Sequence, residues 1–499
     1  MLARPVACLR LPCWPQICLR RKNSGALSGL WMHSGRVGAS SVHTRRVAAS
    51  SKPEFLPGAA ECHEHFFEVP LDHTAPLGAK ICVFAREMVL SSNATRKENL
   101  PILLFLQGGP GFPSARPTNA SGGWLGVALQ TYRVLLLDQR GTGRSTPATA
   151  QFLQGFKAEE ACAYLSNFRA DSIVKDCEII RASFGVDKIS LLGQSFGGFC
   201  SLTYLSFFPE SLDTVFITGG LAPVLRESPA EVYRHLYTRV VEHNKRYYAR
   251  YPNDVSKIRD IISHLESLPE GFAALPRGGR LTPRRFKTLG LLLGSGEGLE
   301  TMHWLVENAF IALGSGSREL DERFLMRVEE AQSFDSNPLY WLLHEAIYCG
   351  PASGASSWAA QRVIDEPPFS ELFDHGRSLR DPDSPVMMTG EMVYPWFSED
   401  FELLGGLCDV AELLAEKNDW PPLYDIERLQ NSPVKVMAAM YYDDMYVERV
   451  LSEDVQRLLG SKCQVWVTNE FQHSGLRDDG ERVFETLKKM ADGELNIPS

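Results

Sequence analysis

The sequence predicts an α/β protein with a mostly parallel central sheet, and two observations support this prediction. First, several short segments are apolar without alternation, which is typical of strands covered on both faces. Second, these segments alternate with stretches in which apolar residues recur at helical spacing. The predicted buried strands are residues 102–106, 133–137, 189–192, 214–217, 434–440 and 464–467.

The order of the remaining elements predicts one core interrupted by an insertion. Two edge strands, 66–69 and 81–84, precede the first buried strand, and predicted helices at 171–184, 199–208 and 481–490 flank later strands. From about residue 223 the pattern changes to long amphipathic stretches such as 231–250 and 320–332, and little is typical of strand until 434. We therefore predict an α/β core at 53–222 and 427–499, with a mainly helical cap insertion at 223–426. Because loops after the carboxyl ends of parallel strands carry the active site, the insertion is expected to roof it.

Composition limits the classes of function. The 499 residues are 44% hydrophobic and 22% charged, as in an ordinary globular protein. A net charge of -10 gives no electrostatic reason to expect a nucleic-acid partner, and no apolar run is long enough to span a bilayer. The 11 cysteines include no C-x-x-C pair, which argues against a disulfide framework and a structural zinc site. We expect no metal and no cofactor.

The first fifty residues differ from the rest. They hold seven arginines and one lysine, and the first acidic residue is Glu54. An arginine-rich segment without acidic residues is typical of an organellar transit peptide, with the mitochondrion favoured over the plastid. The alternative for residues 1–52 is a disordered basic tail, in which case a cytoplasmic location is expected.

The segment Gly193-Gln-Ser195-Phe-Gly197 joins the predicted strand 189–192 to the helix that follows. This is the G-x-S-x-G nucleophile elbow in its strand–turn–helix context. The tight turn lifts the hydroxyl of Ser195 above the end of the sheet, at a helix N-terminus. We therefore predict that Ser195 is a nucleophile.

A serine hydroxyl needs a base within hydrogen-bond reach and a third group that orients the base. On this architecture the order along the chain is serine, acid, histidine. His473 follows the last predicted strand, and Asp443 and Asp444 follow the strand at 434–440. We predict His473 as the base and favour Asp444 as the acid, with Asp443 as a neighbour that holds the turn.

A tetrahedral intermediate needs two preorganised donors for its oxyanion. The backbone N–H of Phe196, directly after the nucleophile, is one candidate. The other is the loop Gly108-Gly109-Pro110-Gly111 after the first buried strand, from which we predict Gly109. The nearby segment Asp138-Gln-Arg140-Gly-Thr-Gly lacks a nucleotide-binding signature, so we expect a structural turn with Arg140 paired to a carboxylate.

Together these motifs resemble the prolyl iminopeptidase family of serine aminopeptidases, within the α/β-hydrolase superfamily. The resemblance covers about residues 60–490 and includes Gln107-Gly-Gly-Pro-Gly, Asp138-Gln-Arg-Gly-Thr-Gly-Arg-Ser, Gly193-Gln-Ser-Phe-Gly-Gly, Asp443-Asp-Met and His473-Ser-Gly. Many members of the family have a histidine at the position of Gln107, which affects hydrogen bonding in the loop and leaves the triad intact.

The resemblance implies an α/β-hydrolase fold and release of N-terminal proline, or a similar small residue, through an acyl-enzyme. The partners would be peptides with a free N-terminus. Glutamates of the cap would bind the substrate's cationic amine, and Glu345 and Glu391 are the candidates because both lie among apolar and aromatic residues. The aromatic residues Phe112, Tyr348, Tyr394 and Trp396 either wall a slot for the pyrrolidine ring or pack in the core.

Two other functions stay open at this point. A carboxylesterase or amidase would use the same triad with an uncharged acyl group under the cap. A non-catalytic, ligand-binding protein on the same fold is the other alternative. The sequence leaves open how strictly proline is preferred, the peptide length and the oligomeric state.

Overall fold

The computed structural model describes residues 46–47, 52–314, 316–381 and 383–495. The predicted transit peptide lies outside these residues, apart from the pair 46–47 and residue 52. Fourteen strands lie within the described residues. They are β1 Arg46–Val47, β2 Glu54–Leu56, β3 Ala60–Pro70, β4 Lys80–Leu90, β5 Ile102–Leu106, β6 Arg133–Asp138, β7 Ile189–Gln194, β8 Leu212–Thr218, β9 Ala273–Ala274, β10 Arg280–Leu281, β11 Phe310–Ala312, β12 Arg318–Leu320, β13 Lys435–Tyr441 and β14 Cys463–Thr468.

The helices fall into core and inserted groups according to the strands between which they lie. Those before β8 are α1 Gly123–Ala128, α2 Ala150–Leu153, α3 Ala158–Leu165, α4 Ala170–Ser183 and α5 Phe196–Phe207. Those between β8 and β13 are α6 Pro229–Arg250, α7 Asp254–Ser267, α8 Pro283–Lys287, α9 Gly298–Glu307, α10 Glu322–Ala331, α11 Pro338–Leu343, α12 Ala359–Ile364, α13 Phe369–Leu372, α14 His375–Arg380, α15 Phe397–Asp400, α16 Cys408–Glu416 and α17 Ile426–Asn431. Those after β13 are α18 Arg449–Leu459, α19 Gly475–Asp478 and α20 Gly480–Ala491.

The central sheet has the order β1-β3-β4-β6-β5-β7-β8-β13-β14, and β2 also pairs with β3. The pairs from β6 through β14 are parallel, whereas β3 and β4 form an antiparallel ribbon that joins the sheet at β6. The predicted mostly parallel α/β sheet is therefore confirmed. Crossover connections leave the carboxyl ends of β5, β7, β8, β13 and β14 at one edge, where the loops of the site lie.

Alternation along the buried strands divides the core between the two faces of the sheet. On β5, Leu104 and Leu106 pack in the larger core cluster, which also contains buried residues of α4, α5 and α18. Leu103 and Phe105 pack in a second cluster with residues of α20 such as Phe484. Every residue of β5 is buried because both faces are covered, which explains the continuous apolar pattern.

The ribbon of β3 and β4 is longer than the sequence predicted, because each strand has eleven residues. Polar residues at 61–65 hid the start of β3. One of them, His65, is buried and its Nε2 lies 3.0 Å from Oε2 of Glu87 on β4. The partner of this buried polar side chain lies on the neighbouring strand, so the residues of β3 alone could not predict that His65 is buried.

The chain between β8 and β13 is mainly helical. Its strands, among the residues described there, are two short antiparallel pairs, β9 with β10 and β11 with β12. The insertion contacts the loop after β5 at Gly111, since a Cβ at Gly111 would lie 2.7 Å from Cβ of Leu339 on α11. The insertion therefore lies over the loop that follows β5.

Candidate active site

The turn between β7 and α5 holds Ser195 in a strained conformation. Its φ of 56° and ψ of -125° are rare for a residue with a side chain. The turn also brings α5 close to β5, because a Cβ at Gly197 would lie 1.9 Å from the carbonyl oxygen of Leu106. Only glycine fits at that position. The geometry is that of a nucleophile elbow, and it places Ser195 at the N-terminus of α5.

Asp444 and His473 form a buried acid–base pair. Oδ2 of Asp444 lies 2.7 Å from Nδ1 of His473, and the two residues are 1% and 5% exposed. Oδ1 of Asp444 accepts the backbone N–H groups of Tyr446 and Val447 at 2.8 and 3.0 Å. A carboxylate accepts hydrogen bonds, so Nδ1 carries the proton and Nε2 is left as the basic nitrogen.

Asp443 faces away from this pair. Its carboxylate lies 2.9 Å from Arg246 and 3.6 Å from Arg239, both on α6, and it is partly exposed. The structure thus brings Asp444, and not Asp443, to His473.

Consecutive glycines at the end of β8 show how close the nucleophile lies to the acid–base pair. A Cβ at Gly219 would lie 3.2 Å from both Oδ2 of Asp444 and Nδ1 of His473. A Cβ at Gly220 would lie 2.6 Å from the carbonyl oxygen of Ser195. Three loops that follow β7, β13 and β14 therefore converge around the end of β8.

The two predicted oxyanion donors lie beside the nucleophile. Phe196 is the first residue of α5, so its N–H has no acceptor within the helix, and the helix dipole favours negative charge there. The loop after β5 approaches from the other side, because a Cβ at Gly108 would lie 2.9 Å from Cβ of Ser195. Gly109 follows with a φ of 132°, which a side chain would disfavour.

The carboxylate of Glu345 lies at the N-terminus of the cap helix α12. Its two carboxylate oxygens accept the backbone N–H groups of Ala359 and Ala360, at 3.0 and 2.9 Å, where α12 begins. Burial raises the pKa of Glu345, although these hydrogen bonds act in the opposite direction. The N-cap residue Trp358 supplies no capping side chain, so Glu345 takes that role.

Glu391 is connected through Tyr340 to the loop that follows β5. Oε2 accepts the hydroxyl of Tyr340 at 3.3 Å, and Oε1 lies 3.8 Å from Nε2 of His344. The ring of Tyr340 packs edge-on against Phe112 of the loop, with centroids 5.9 Å apart. Of the two predicted glutamates, Glu391 is the one whose carboxylate is not occupied by helix N–H groups.

Of the four predicted aromatic residues, two contact residues next to the nucleophile or its loop, and two pack against each other. Phe112 contacts Tyr340, and Tyr348 packs against Phe199 of α5 at 6.0 Å. Tyr394 and Trp396 instead stack on each other at 5.1 Å, and Trp396 also lies under the guanidinium of Arg284.

Sequence reasoning missed Tyr446. Its ring packs edge-on against His473 at 4.7 Å, and its hydroxyl donates to the carbonyl oxygen of Leu291 in the insertion. Burial raises the pKa of Tyr446, so the hydroxyl stays neutral. The signal for this residue was its place two positions after the predicted acid, where a turn brings side chains back to the site.

Within the described ranges, no cluster of three or more His, Cys, Asp or Glu side chains is arranged to hold a metal ion. In the same ranges, no helix has the length and apolar character needed to cross a membrane.

The fold and the site define a class of protein, the serine hydrolases of the α/β-hydrolase fold. A family model described as the alpha/beta hydrolase fold matches residues 101–259. A curated proline iminopeptidase from Aeromonas sobria is 44% identical over 443 residues, which is 88% of this chain and 99% of the relative. The chain belongs to the proline iminopeptidase family.

Two further relatives show how far the similarity extends. The proline iminopeptidase aneH from Aspergillus aculeatus is 35% identical over 455 residues, covering 88% of this chain and 96% of the relative. A tripeptidyl aminopeptidase from Streptomyces lividans is 26% identical over 202 residues, covering 34% of this chain and 36% of the relative. Similarity to the first two extends through core and insertion alike.

Proposed function

We propose that this protein is a serine aminopeptidase that releases N-terminal proline, or a similar small residue, from peptides. The observation that carries the proposal is the buried Asp444–His473 pair beside a serine in a strained elbow. The names of the relatives from Aeromonas sobria and Aspergillus aculeatus support the substrate class.

The proposed reaction follows from the positions of these groups. The hydroxyl of Ser195 attacks the carbonyl carbon of the first peptide bond while Nε2 of His473 takes the hydroxyl proton. The N–H of Phe196 and a donor from the Gly109 loop stabilise the oxyanion. His473 then protonates the leaving amine, the C–N bond breaks, and the shortened peptide departs. Water, deprotonated by His473, releases the amino acid from Ser195.

Recognition of a free N-terminus needs a counter-charge, and we assign Glu391 to it. Its carboxylate lies beside Tyr340, which contacts the loop that follows β5, whereas both oxygens of Glu345 hold α12. The role of Glu345 is therefore to hold the cap helix that starts at Ala359.

The substitution Glu391→Gln tests this assignment. We expect it to lower kcat/KM for an unblocked proline arylamide about 100-fold, because a neutral amide offers no charge to the substrate's ammonium group. It should leave hydrolysis of a simple activated ester within about threefold of wild type. The measurement is the ratio of the two activities, across a panel of aminoacyl arylamides that includes N-blocked proline.

Glu345→Gln is the matched control, since it should lower thermal stability and leave the ratio unchanged. Activity on N-blocked proline equal to that on free proline would remove the aminopeptidase assignment and favour the esterase or amidase alternative. A fluorophosphonate probe that fails to label the wild-type protein, or that labels Ser195→Ala equally, would favour a non-catalytic role.

We also propose that residues 1–52 direct the protein to an organelle, with the mitochondrion as first choice. The support is that seven arginines and two lysines precede the first acidic residue, Glu54. Fusion of residues 1–52 to a fluorescent protein tests this. Diffuse cytoplasmic fluorescence would contradict it.

A further inference from the structure

His243 of α6 is a buried histidine that lies between two backbone carbonyl groups. Its Nε2 is 2.7 Å from the carbonyl oxygen of Asp443, and its Nδ1 is 2.9 Å from that of Leu293. The residue is only 1% exposed, so these carbonyls are its polar environment in place of water. The proposed reaction does not use this imidazole.

Both carbonyls belong to segments that set the position of the acid–base pair. Asp443 directly precedes Asp444, whose carboxylate binds His473. Leu293 directly precedes Gly294, whose carbonyl oxygen accepts the backbone N–H of His473 at 3.2 Å. One imidazole from the insertion therefore contacts the two stretches of backbone that hold the acid and the base.

The same helix holds the loop after β13 through charged groups. Arg246 and Arg239 of α6 pair with the carboxylate of Asp443, and Arg239 also lies 2.8 Å from Glu448. Glu448 in turn accepts the N–H groups that begin α18. The bond from His243 is thus the buried end of a larger contact between the insertion and this loop.

Charged and titratable groups from three elements lie near His243. Its own helix contributes Arg239 and Arg246, the loop after β13 contributes Asp443 and Asp444, and the last loop contributes His473. The segment 288–294 contains no ionisable side chain. Burial is the largest influence and lowers the pKa of His243, so the ring is neutral at pH 7 and has one N–H. We assign this N–H to Nε2, which makes the shorter contact, to the carbonyl of Asp443.

We propose that His243 is a positioning residue, whose Nε2–H bond to the carbonyl of Asp443 keeps Asp444 in line with His473. It acts through the backbone of the loop and touches neither the substrate nor the reacting atoms. The inference rests on the serine-hydrolase chemistry proposed above, but not on a preference for proline.

Three substitutions separate the contacts made by the two ring nitrogens. In His243→Gln the amide nitrogen reaches the place of Nε2 and can still donate to Asp443. In His243→Asn the amide nitrogen replaces Nδ1 and can donate only to Leu293. His243→Phe keeps a ring but removes both nitrogens. His235→Gln is the matched control, because it changes a partly exposed imidazole two turns earlier on the same helix, 3.9 Å from Glu448.

We expect kcat for an activated ester to fall about 10- to 100-fold in His243→Asn and His243→Phe, since a small displacement of the acid misaligns the base. KM should change by less than about threefold, because no substrate contact is lost. His243→Gln should retain most of the wild-type kcat, and His235→Gln all of it. The rate of fluorophosphonate labelling at Ser195 should follow kcat, and the acid limb of the pH–rate profile should shift only in the Asn and Phe variants.

Thermal unfolding identifies the variants that are folded at the assay temperature. If His243→Phe is unfolded there, the comparison of His243→Gln with His243→Asn tests the positioning role. Wild-type kcat in folded His243→Asn, or equal losses in the Gln and Asn variants, would overturn the positioning role. A wild-type protein that the probe does not label would instead remove the proposed hydrolase function, and the positioning role with it.

Discussion

Asp443 and Asp444 are adjacent in the chain, but their carboxylates have opposite surroundings. Asp444 is buried, accepts two backbone N–H groups and binds His473, whereas Asp443 pairs with two arginines of α6 near the surface. A turn with both residues has room for only one of them in the site, and the other stays at the boundary between core and insertion.

This difference predicts unequal effects of two isosteric substitutions. Asp444→Asn should lower kcat by about 10³- to 10⁴-fold, because an amide in its place favours the wrong tautomer of His473. Asp443→Asn removes only partly exposed ion pairs and should lower kcat less than about tenfold. Steady-state kinetics on one ester substrate compare the two. Equal losses would contradict the assignment of the acid.

At the scale of residues, the sequence could predict groups whose role is tied to the order of the elements. Ser195 and His473 each follow a buried strand in the order this architecture requires, so both were predictable. Glu345 and Glu391 were not separable, because both lie among apolar residues. What distinguishes them is the start of α12, which binds the carboxylate of Glu345.

At the scale of elements, the ribbon of β3 and β4 is stabilised by one buried ionic cluster. Glu87 on β4 accepts hydrogen bonds from His65 of β3 at 3.0 Å, from Lys97 between β4 and β5 at 3.1 Å, and from Arg133 of β6 at 3.3 Å. Burial opposes its ionisation, but the bonds to His65 and Lys97 outweigh burial and lower the pKa of Glu87 to about 2. The short apolar strands were predictable from their own residues, whereas this ribbon also depends on Lys97 and Arg133, which lie outside it.

The lowered pKa makes the contribution of Glu87 dependent on pH. The unfolded carboxylate takes up a proton near pH 4.5 while the folded one stays ionised to about pH 2, so the stabilisation is present above 4.5 and lost below it. Glu87→Gln should lower the free energy of unfolding at pH 7 by about 3 kcal/mol. The difference in free energy of unfolding between wild type and Glu87→Gln should become smaller as the pH falls from 4.5 towards 2.

Urea unfolding at pH 7, 5 and 4 measures the deficit of Glu87→Gln. Glu68→Gln, on the exposed side of β3, is the control and should change stability by less than about 0.5 kcal/mol at each pH. A deficit for Glu87→Gln that is the same at pH 4 as at pH 7 would show that packing, rather than charge, is what the substitution removes.

At the scale of the whole molecule, core and insertion are joined by contacts between residues far apart in the chain. His243 and Asp443 are separated by 200 positions, and Arg169 of the core contacts backbone 177 to 252 positions later. The return of the strand pattern at 434 was enough to predict an insertion. It could not predict which of its surfaces meets the core, because such contacts leave no periodic signal in the sequence.

Arg169 makes three of these contacts from a buried position. Placed at the N-terminus of α4, its guanidinium donates to the carbonyl oxygens of Ala346, Cys349 and Pro421, at 2.9, 2.8 and 2.6 Å, and lies over the ring of Trp420. Burial lowers the pKa of Arg169, with Asp171 acting in the opposite direction. A planar fork reaches two segments of the insertion at once, which a lysine ammonium cannot do.

Removing this side chain should therefore loosen the insertion. Arg169→Met leaves the buried carbonyl groups of Ala346 and Cys349, and the partly exposed one of Pro421, without their donor. It should lower the free energy of unfolding by about 3 to 5 kcal/mol. Arg181→Met, at the other end of α4, removes a partly exposed ion pair with Glu178 and hydrogen bonds to the carbonyl groups of Val186 and Asp187, which water can replace near the surface. It should cost about 1 kcal/mol. Urea unfolding compares the two, and limited proteolysis should cut Arg169→Met first between β8 and β13. Equal stability of the two variants, with cleavage no faster than in wild type, would mean that apolar packing alone holds the insertion on the core.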